Sequence, residues 1–335
     1  MKLTNTTILT AGITAGLTLL TGAAFAQVPV LTVYTYDSFN SEWGPGPGVE
    51  LAFEEICECD LQFTSTGDGA ALLARLRLEG ARSEGDIVLG LDTNLMAAAL
   101  DAGLIAEHDS TPGDLTLPMT WDDPHFMPFD WGYFAFVHRT DMETVPGSFE
   151  DLAASDASIV IQDPRSSTPG LGLLMWVQNA YGDEAAAIWE GLADNVVTVT
   201  PGWSEAYGLF LEGEADMVLS YTTSPAYHLI AEDDAGFEAA AFAEGHYMQI
   251  EVGGILQTAD NPDLAQQFLD FMISPAFQTV IPETNWMYPA ALPVDQLPEG
   301  FETLIQPETA LIFTPEEAAA IRDDALATWQ NALSQ

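Results

Sequence analysis

Three short stretches share one local grammar: Thr66-Gly67-Asp68-Gly69, Ser166-Ser167-Thr168-Pro169-Gly170 and Tyr221-Thr222-Thr223-Ser224-Pro225. In each, an apolar strand-like run ends, small polar residues or glycine follow, and a helical pattern begins. A helix start presents unpaired backbone N–H groups and a partial positive charge, so it readily holds an anion. Ser and Thr hydroxyls add donors, and Pro169 and Pro225 suit the first helical position. Plain helix capping accounts for any one of these turns. Three of them, divided between two halves of the chain, point to a shared cleft, because ligands of open α/β sheets bind at such strand-to-helix turns.

Aromatic residues recur beside the same turns. Tyr36 and Trp43 lie in YTYDSFNSEWGPGPG, Trp203 opens a helix in TPGWSEAYG, Tyr221 and Tyr227 bracket TTSPA, and Trp286 and Tyr288 lie in NWMYP. For each, packing and ligand contact are equally open. Together they suit a box for a flat, positively charged ligand, since a cation over a ring face gains about 0.5–2 kcal/mol. Two or three such contacts fall short of the roughly 12 kcal/mol that nanomolar binding requires. Burial between two closing lobes has to supply the rest.

The elements that must position these residues alternate. Apolar runs at Leu31–Thr35, Leu61–Ser65 and Asp86–Gly90 read as strands, separated by helical patterns at Val49–Cys57, Gly69–Gly80 and Asn94–Ala102. The alternation continues through strands at Ile159–Gln162, Val196–Thr200 and Met217–Ser220, with helices between them. This is an α/β pattern with short connections. The last helix is expected from Pro315 to about Leu333, with Thr314 as its cap and Glu317 completing a capping box. No internal repeat and no Ser/Gly-rich linker interrupts the chain. Two domains without a flexible linker imply crossing on structured strands, with Met127–Val137 and His246–Val252 as the candidates. That assigns residues 27–128 plus 250–335 to a discontinuous first lobe and 129–249 to a second.

Composition bounds the function. The first 26 residues carry Lys2, a mostly apolar run from Ile8 to Leu20, and Ala24-Phe25-Ala26 before Gln27, the signature of a cleaved secretory signal. The mature chain is therefore expected to be soluble and exported. Lys2 is the only lysine, which leaves six Arg against 51 acids once the signal is gone. Such a surface repels nucleic acid and anionic membrane. It reads first as salt adaptation, ahead of any role in steering ligands. The two cysteines, Cys57 and Cys59 in ICEC, are either a tight local disulfide or two buried thiols. The spacing lacks the CxxC of a redox enzyme. Five scattered His give no zinc pattern, and His228 and His246 are expected at the surface or at caps rather than as catalytic bases. No G-x-S-x-G, Walker A, H-E-x-x-H or EF-hand pattern is present. Acid pairs are so common here that their presence carries no information.

The stretches YTYDSF, WGPGP, DIVLGLD, QDPRSSTPGLG, TPGWSEAYGLFLEGEAD, LSYTTSPAYH, EGHY and NWMYP together resemble the periplasmic thiamine-binding proteins of bacterial ABC importers. The likeness runs in order through nearly the whole mature chain. It implies a two-lobed binding protein with two crossing strands (type II), closing by a hinge. It also implies delivery of thiamine, thiamine phosphate and thiamine diphosphate to a membrane permease, by a monomer without a cofactor or metal of its own. Asp68, Gly69, Ser167, Thr168, Trp203, Tyr221, Thr222, Thr223 and Ser224 match the family's ligand contacts. Tyr36, Trp43, Tyr227 and Trp286 look like further walls of the box. Thiamine's thiazolium cation and aminopyrimidine suit the rings, and its hydroxyethyl or phosphate tail suits the helix starts. Arg165 is the basic residue nearest that tail in sequence, with a structural ion pair as its other role. The acidity exceeds what the family leads one to expect.

Three rivals stand beside this reading. A polyamine binder would place several carboxylates at the cleft and would have no need of the STPG turn. A ferric-ion binder would use adjacent tyrosines, whereas Tyr221 is followed by Thr222. A secreted enzyme acting on thiamine would need a nucleophile against the ligand, and neither cysteine is placed for that.

Overall fold

A computed structural model describes residues 28–334; the expected signal segment, residues 1–26, lies outside them. Among the described residues there are eleven strands: β1 (Val30–Thr35), β2 (Asp60–Ser65), β3 (Ile87–Asp92), β4 (Met127–Arg139), β5 (Ile159–Gln162), β6 (Val196–Thr200), β7 (Met217–Tyr221), β8 (Phe237–Ala239), β9 (His246–Ile255), β10 (Tyr288–Pro289) and β11 (Ala310–Leu311). The main path runs β2-β1-β3-β9-β4-β7-β5-β6. β1 pairs in parallel with β2 and β3 at one end, and β5 pairs in parallel with β6 and β7 at the other. All six residues of β3 are buried, as expected of a strand covered by helices on both faces.

The two halves meet on β4 and β9, which run antiparallel. Met127–Tyr133 of β4 pairs with β9, while Phe134–His138 pairs with β7. At about 3.3 Å per residue, the 13 residues of β4 are long enough to belong to both lobes. β9 in turn pairs with β3 from Glu251 to Ile255. The crossing strand expected at Met127–Val137 is one continuous strand that runs on to Arg139.

Apolar side chains explain which faces are covered. On one side of the first lobe, Phe53 meets Phe268 edge-on with ring centres 5.1 Å apart, beside Phe129 and Phe277. A second, continuous core runs behind both lobes and joins Leu72 and Leu95 to Trp176, Trp189 and Trp329. Its cover is the last helix, Pro315–Leu333, whose start is fixed by the expected Thr314–Glu317 capping box. The sequence reading grouped this helix with the first lobe. It packs against helix Thr93–Asp101 of that lobe and also against helix Ala185–Leu192 of the other. Among the described residues no helix is long and apolar enough to cross a membrane.

Three local expectations are corrected or resolved. The Gly-Pro run read as loop up to Gly48 already forms the first turn of helix Gly46–Cys57, because Pro47 falls where its missing N–H costs nothing. Cys57 and Cys59 are joined as a disulfide. His228 and His246 are not surface residues: both are buried. His228 lies flat on Phe237 with ring centres 3.6 Å apart and shares a 2.9 Å hydrogen bond with the Tyr207 hydroxyl. His246 accepts the Phe242 N–H on Nε2 and contacts the Phe134 carbonyl through Nδ1 at 2.7 Å. Burial pushes the pKa of both rings down. Each fills a core position that has just enough polar partners for one neutral imidazole.

Candidate functional site

Between the lobes lies a cleft of about 520 Å³, within the roughly 300–1,000 Å³ range of small-molecule sites. Of the residues expected there, Tyr36, Trp43, Asp68, Thr168, Trp203, Tyr221, Ser224, Tyr227 and Trp286 line it. Gly69, Ser167, Thr222 and Thr223 do not; they stand one layer behind and hold the lining.

The rim is aromatic and comes from both lobes. Trp43, from the loop after β1, approaches Trp203 at the start of helix Trp203–Leu211, with ring centres 6.3 Å apart. Trp203 stacks on Tyr207 at 5.0 Å and anchors its indole N–H on the Ser220 hydroxyl at 2.8 Å. At the other side Tyr227 meets Trp286 edge-on at 5.5 Å. Trp43 is 55% exposed, an unusual state for a ring that size unless something covers it. Trp286 is held at φ +54°, a left-handed conformation that costs a non-glycine residue about 1–2 kcal/mol. Such strain concentrates at functional sites. Tyr288, by contrast, packs tilted against Trp131 with ring centres 4.8 Å apart and belongs to packing.

The Asp68 and Ser167 turns meet each other, and Asp68 also reaches the start of helix Trp203–Leu211. The Asp68 carboxylate accepts the Ser167 hydroxyl at 2.6 Å and the Trp203 N–H at 3.0 Å, both from the second lobe. Beside it the Gly69 N–H donates to Thr168 Oγ1 at 3.0 Å, and Ala71 N–H to the Ser166 carbonyl at 3.0 Å. Only glycine allows this approach: a Cβ at Gly69 would lie 2.6 Å from Thr168 Oγ1 and 2.7 Å from the Gly90 carbonyl oxygen. The Gly69 N–H, at a helix start expected to suit a ligand's tail, is thus engaged by Thr168, and the Trp203 N–H by Asp68. The anion at the start of helix Trp203–Leu211 is Asp68. Burial pushes the Asp68 carboxyl up to about 6, against the two hydrogen bonds that hold it down.

The third turn is tied internally. Ser224 Oγ lies 2.7 Å from Ser220 Oγ and accepts the Tyr221 N–H at 3.1 Å. Thr222 and Thr223 are fully buried; Thr222 donates its N–H to the Tyr133 carbonyl at 2.9 Å, and Thr223 points its hydroxyl at Met287. The Tyr221 ring, set against Phe134 at 5.1 Å, is what this turn presents to the cleft.

Sequence reasoning missed the floor. Glu251 on β9 lines the cleft, and Asp130 on β4 lies beside it. Tyr36 donates its hydroxyl to Glu251 at 2.9 Å, and Asn285 donates to Asp130 at 2.6 Å and to the Tyr36 oxygen at 2.9 Å. Gly90, at φ +99°, makes room for Tyr36: a Cβ there would stand 2.2 Å from the ring. A signal was present in QIEVGGI and MPFDWGYFAFV, each with one acid inside an otherwise apolar strand. No Lys, Arg or His lines the cleft among the described residues. Arg165 turns away, paired with Asp163 and lying 5.9 Å over the ring of Trp329. Its role is the structural ion pair. Nor do any three His, Cys, Asp or Glu side chains converge as a metal site among the described residues.

Residues 48–279 match the sequence pattern of bacterial extracellular solute-binding proteins. The chain is 52% identical to the thiamine-binding periplasmic protein of Escherichia coli (strain K12), over 95% of this chain and 98% of that one. It is 47% identical to the protein of the same description from Brucella melitensis, over 95% and 99%. A solved periplasmic thiamin binding protein superposes with a TM-score of 0.90 at 52% identity, covering 92% of this chain and 97% of the other. Iron-bound HitA from Pseudomonas aeruginosa shares the fold alone, at a TM-score of 0.73 and 20% identity. The chain therefore belongs to the bacterial extracellular solute-binding proteins, in the branch of the thiamine-binding periplasmic proteins.

Proposed function

We propose that this protein is the ligand-capturing component of a bacterial ABC importer. It holds thiamine, thiamine phosphate or thiamine diphosphate one to one in the cleft and passes it to a membrane permease. The observation that carries this reading is the pairing of an aromatic rim from both lobes with an acidic floor and no lining Lys, Arg or His. Flat rings and a fixed positive charge fit such a site. The likeness to proteins described as thiamine-binding supports the same ligand. Tyr36, Trp43, Trp203, Tyr221, Tyr227 and Trp286 are the proposed ring contacts, with Asp68, Thr168 and Ser224 nearest the tail. Gly69, Ser167, Thr222 and Thr223 support them from behind. The protein works as a monomeric carrier with no catalytic step, in the periplasm after its signal is cleaved.

A polyamine is the second reading, because Asp68, Glu251 and Glu283 put three carboxyl groups on the lining. One experiment separates the two: calorimetric titration of ligand-stripped protein with thiamine, both phosphates and spermidine, at low and at molar salt. Heat from the thiamine series without heat from spermidine is the expected outcome. Silence for the thiamine series in both salts, from folded protein, would move the polyamine reading to the front.

A further inference from the structure

Asp130 and Glu251 are register partners across the antiparallel crossing strands β4 and β9. Partners in register present their side chains to the same face, and like charges directly opposite destabilise a sheet. Asp130 is fully buried and Glu251 is 4% exposed. Two unit charges about 4 Å apart repel by about 4 kcal/mol at an effective dielectric of 20, so the pair cannot cheaply hold both.

The surroundings show how it is relieved. Facing the pair are the Tyr36 hydroxyl and the Asn285 amide from the first lobe, Tyr221 from β7, and Asp92 at the end of β3. Asp68 lines the same cleft and acts on Tyr221, and Arg322 of the last helix acts on Asp92. None of the groups directly against the pair is a cation. Asp130 Oδ1 has no ordinary donor, and both ends of the Gln249 amide on the same strand as Glu251 are also unpartnered. Two buried carboxyl groups set opposite each other in register, with so few donors, are relieved of their repulsion when one proton is held between them.

We propose that the Asp130–Glu251 pair is the charge-reading element of the cleft, and that a bound organic cation takes the place of the proton the pair shares. In the free protein the pair carries one proton and one negative charge. When a flat cation settles over Glu251, that proton leaves to solvent and the now doubly ionised pair faces the ligand's positive charge. No covalent bond forms or breaks; one cation enters and one proton departs, so the charge of the site is conserved. A neutral molecule of the same shape has nothing to exchange and forgoes this gain. Burial pushes both carboxyls up, and the Asp130 charge adds to the rise of Glu251. The shared proton is therefore still present near neutral pH. This inference rests on the cation-binding reading above.

The test is calorimetric titration of the purified protein with thiamine at pH 7, in buffers of different ionisation enthalpy, repeated across pH 6.5–9. The control ligand is an isostere whose thiazolium is replaced by a neutral ring, with the same aminopyrimidine. About one more proton is expected to be released per thiamine than per isostere at neutral pH, with affinity rising up to about tenfold per pH unit until the pair is ionised. Glu251→Gln cannot release that proton; it is expected to bind thiamine more weakly, with an affinity that no longer depends on pH in this range. Equal proton numbers for thiamine and isostere overturn the proposal without any variant, and so does an unchanged number in Glu251→Gln. Absence of binding heat for thiamine itself, from folded protein, defeats the underlying cation reading and this inference with it.

Discussion

Asp68 and the Asp130–Glu251 pair are buried to a similar degree, yet they do different work. Asp68 takes both of its donors, the Ser167 hydroxyl and the Trp203 N–H, from the opposite lobe. Its charge is compensated only while the lobes touch, so it acts as a fastening. The pair takes its donors, Tyr36 and Asn285, from its own side of the cleft, and these are too few for two anions. It keeps a proton instead. Burial sets the size of the penalty in both places, and the supply of donors decides whether a buried carboxyl stays charged.

Removing the fastening should give the largest effect. Asp68→Ala leaves two buried donors unpartnered in the closed form, each costing about 1–3 kcal/mol. Affinity for thiamine and for both phosphates is expected to fall together by about 100-fold or more, near 3 kcal/mol, as read by calorimetry. A loss below about threefold would mean that Asp68 adds nothing to closure.

The same contrast has a signature in stability. Carboxyls whose folded pKa is raised bind protons more readily folded than unfolded, so the stability they confer is complete below the unfolded value and drains as pH climbs through the folded one. Asp68 and Asp92 both move up to about 6 by burial, from near 3.9 in the unfolded chain. Asp68 alone then accounts for about 2–3 kcal/mol lost between roughly pH 4 and 6. Melting of ligand-free protein in molar salt, where surface repulsion is screened, is expected to shift to lower temperature across this range. Glu251→Gln should flatten the part of the curve that extends toward neutral pH. A midpoint that climbs steadily from pH 4 to 7 contradicts the assignment for all these groups.

Aromatic truncations come next and touch the rim alone. Trp203→Ala or Trp286→Ala is expected to weaken binding by about 1–2 kcal/mol, roughly 5- to 30-fold. On the proposed ring contacts, which face the cation and the flat body rather than the tail, the loss should be the same for thiamine and its esters. Trp286→Ala should leave the proton count of binding unchanged, which separates rim from floor. A changed count would mean that Trp286 sets the depth at which the ligand meets Glu251.

How much of this was legible in the sequence follows from what each signal reports. The alternation of apolar runs reported the α/β fold and the crossing strands, because burial on both faces leaves an unbroken apolar strand such as β3. The turns at Asp68, Ser167 and Tyr221 were visible because Gly, Ser, Thr and Pro mark a strand-to-helix turn. What those turns bind was not. A hydroxyl near a helix start looks the same whether its partner is a ligand or the Asp68 carboxylate, and only the third dimension brings residues 68, 167 and 203 together. Asp130 and Glu251 were lost among 51 acids, although each interrupts a buried strand. Sequence alone could not put them opposite each other, because that depends on the antiparallel register of two strands over a hundred residues apart. The burial of His228 and His246 was missed for a related reason: each ring takes a partner distant in sequence, Tyr207 for His228 and Phe134 for His246, and that leaves no pattern in composition.

The smallest effect decides how far the two carboxyl regions are independent of the ligand's tail. Thr168 Oγ1 accepts the Gly69 N–H at 3.0 Å and also lines the cleft. Accepting uses a lone pair and leaves the hydroxyl proton free to donate toward the tail. Thr168→Val removes both functions at nearly constant shape. Losing the acceptor weakens closure for every ligand by about 1 kcal/mol. Losing the donor should cost the two phosphate esters about 1 kcal/mol more than thiamine, about a fivefold difference in relative affinity. A binding series at fixed pH and salt resolves that gap. Equal losses for all three ligands would assign the hydroxyl wholly to the fastening with Asp68. Discrimination among the forms would then rest on charge alone: Asp68 opposing the phosphate, and the floor drawing the thiazolium.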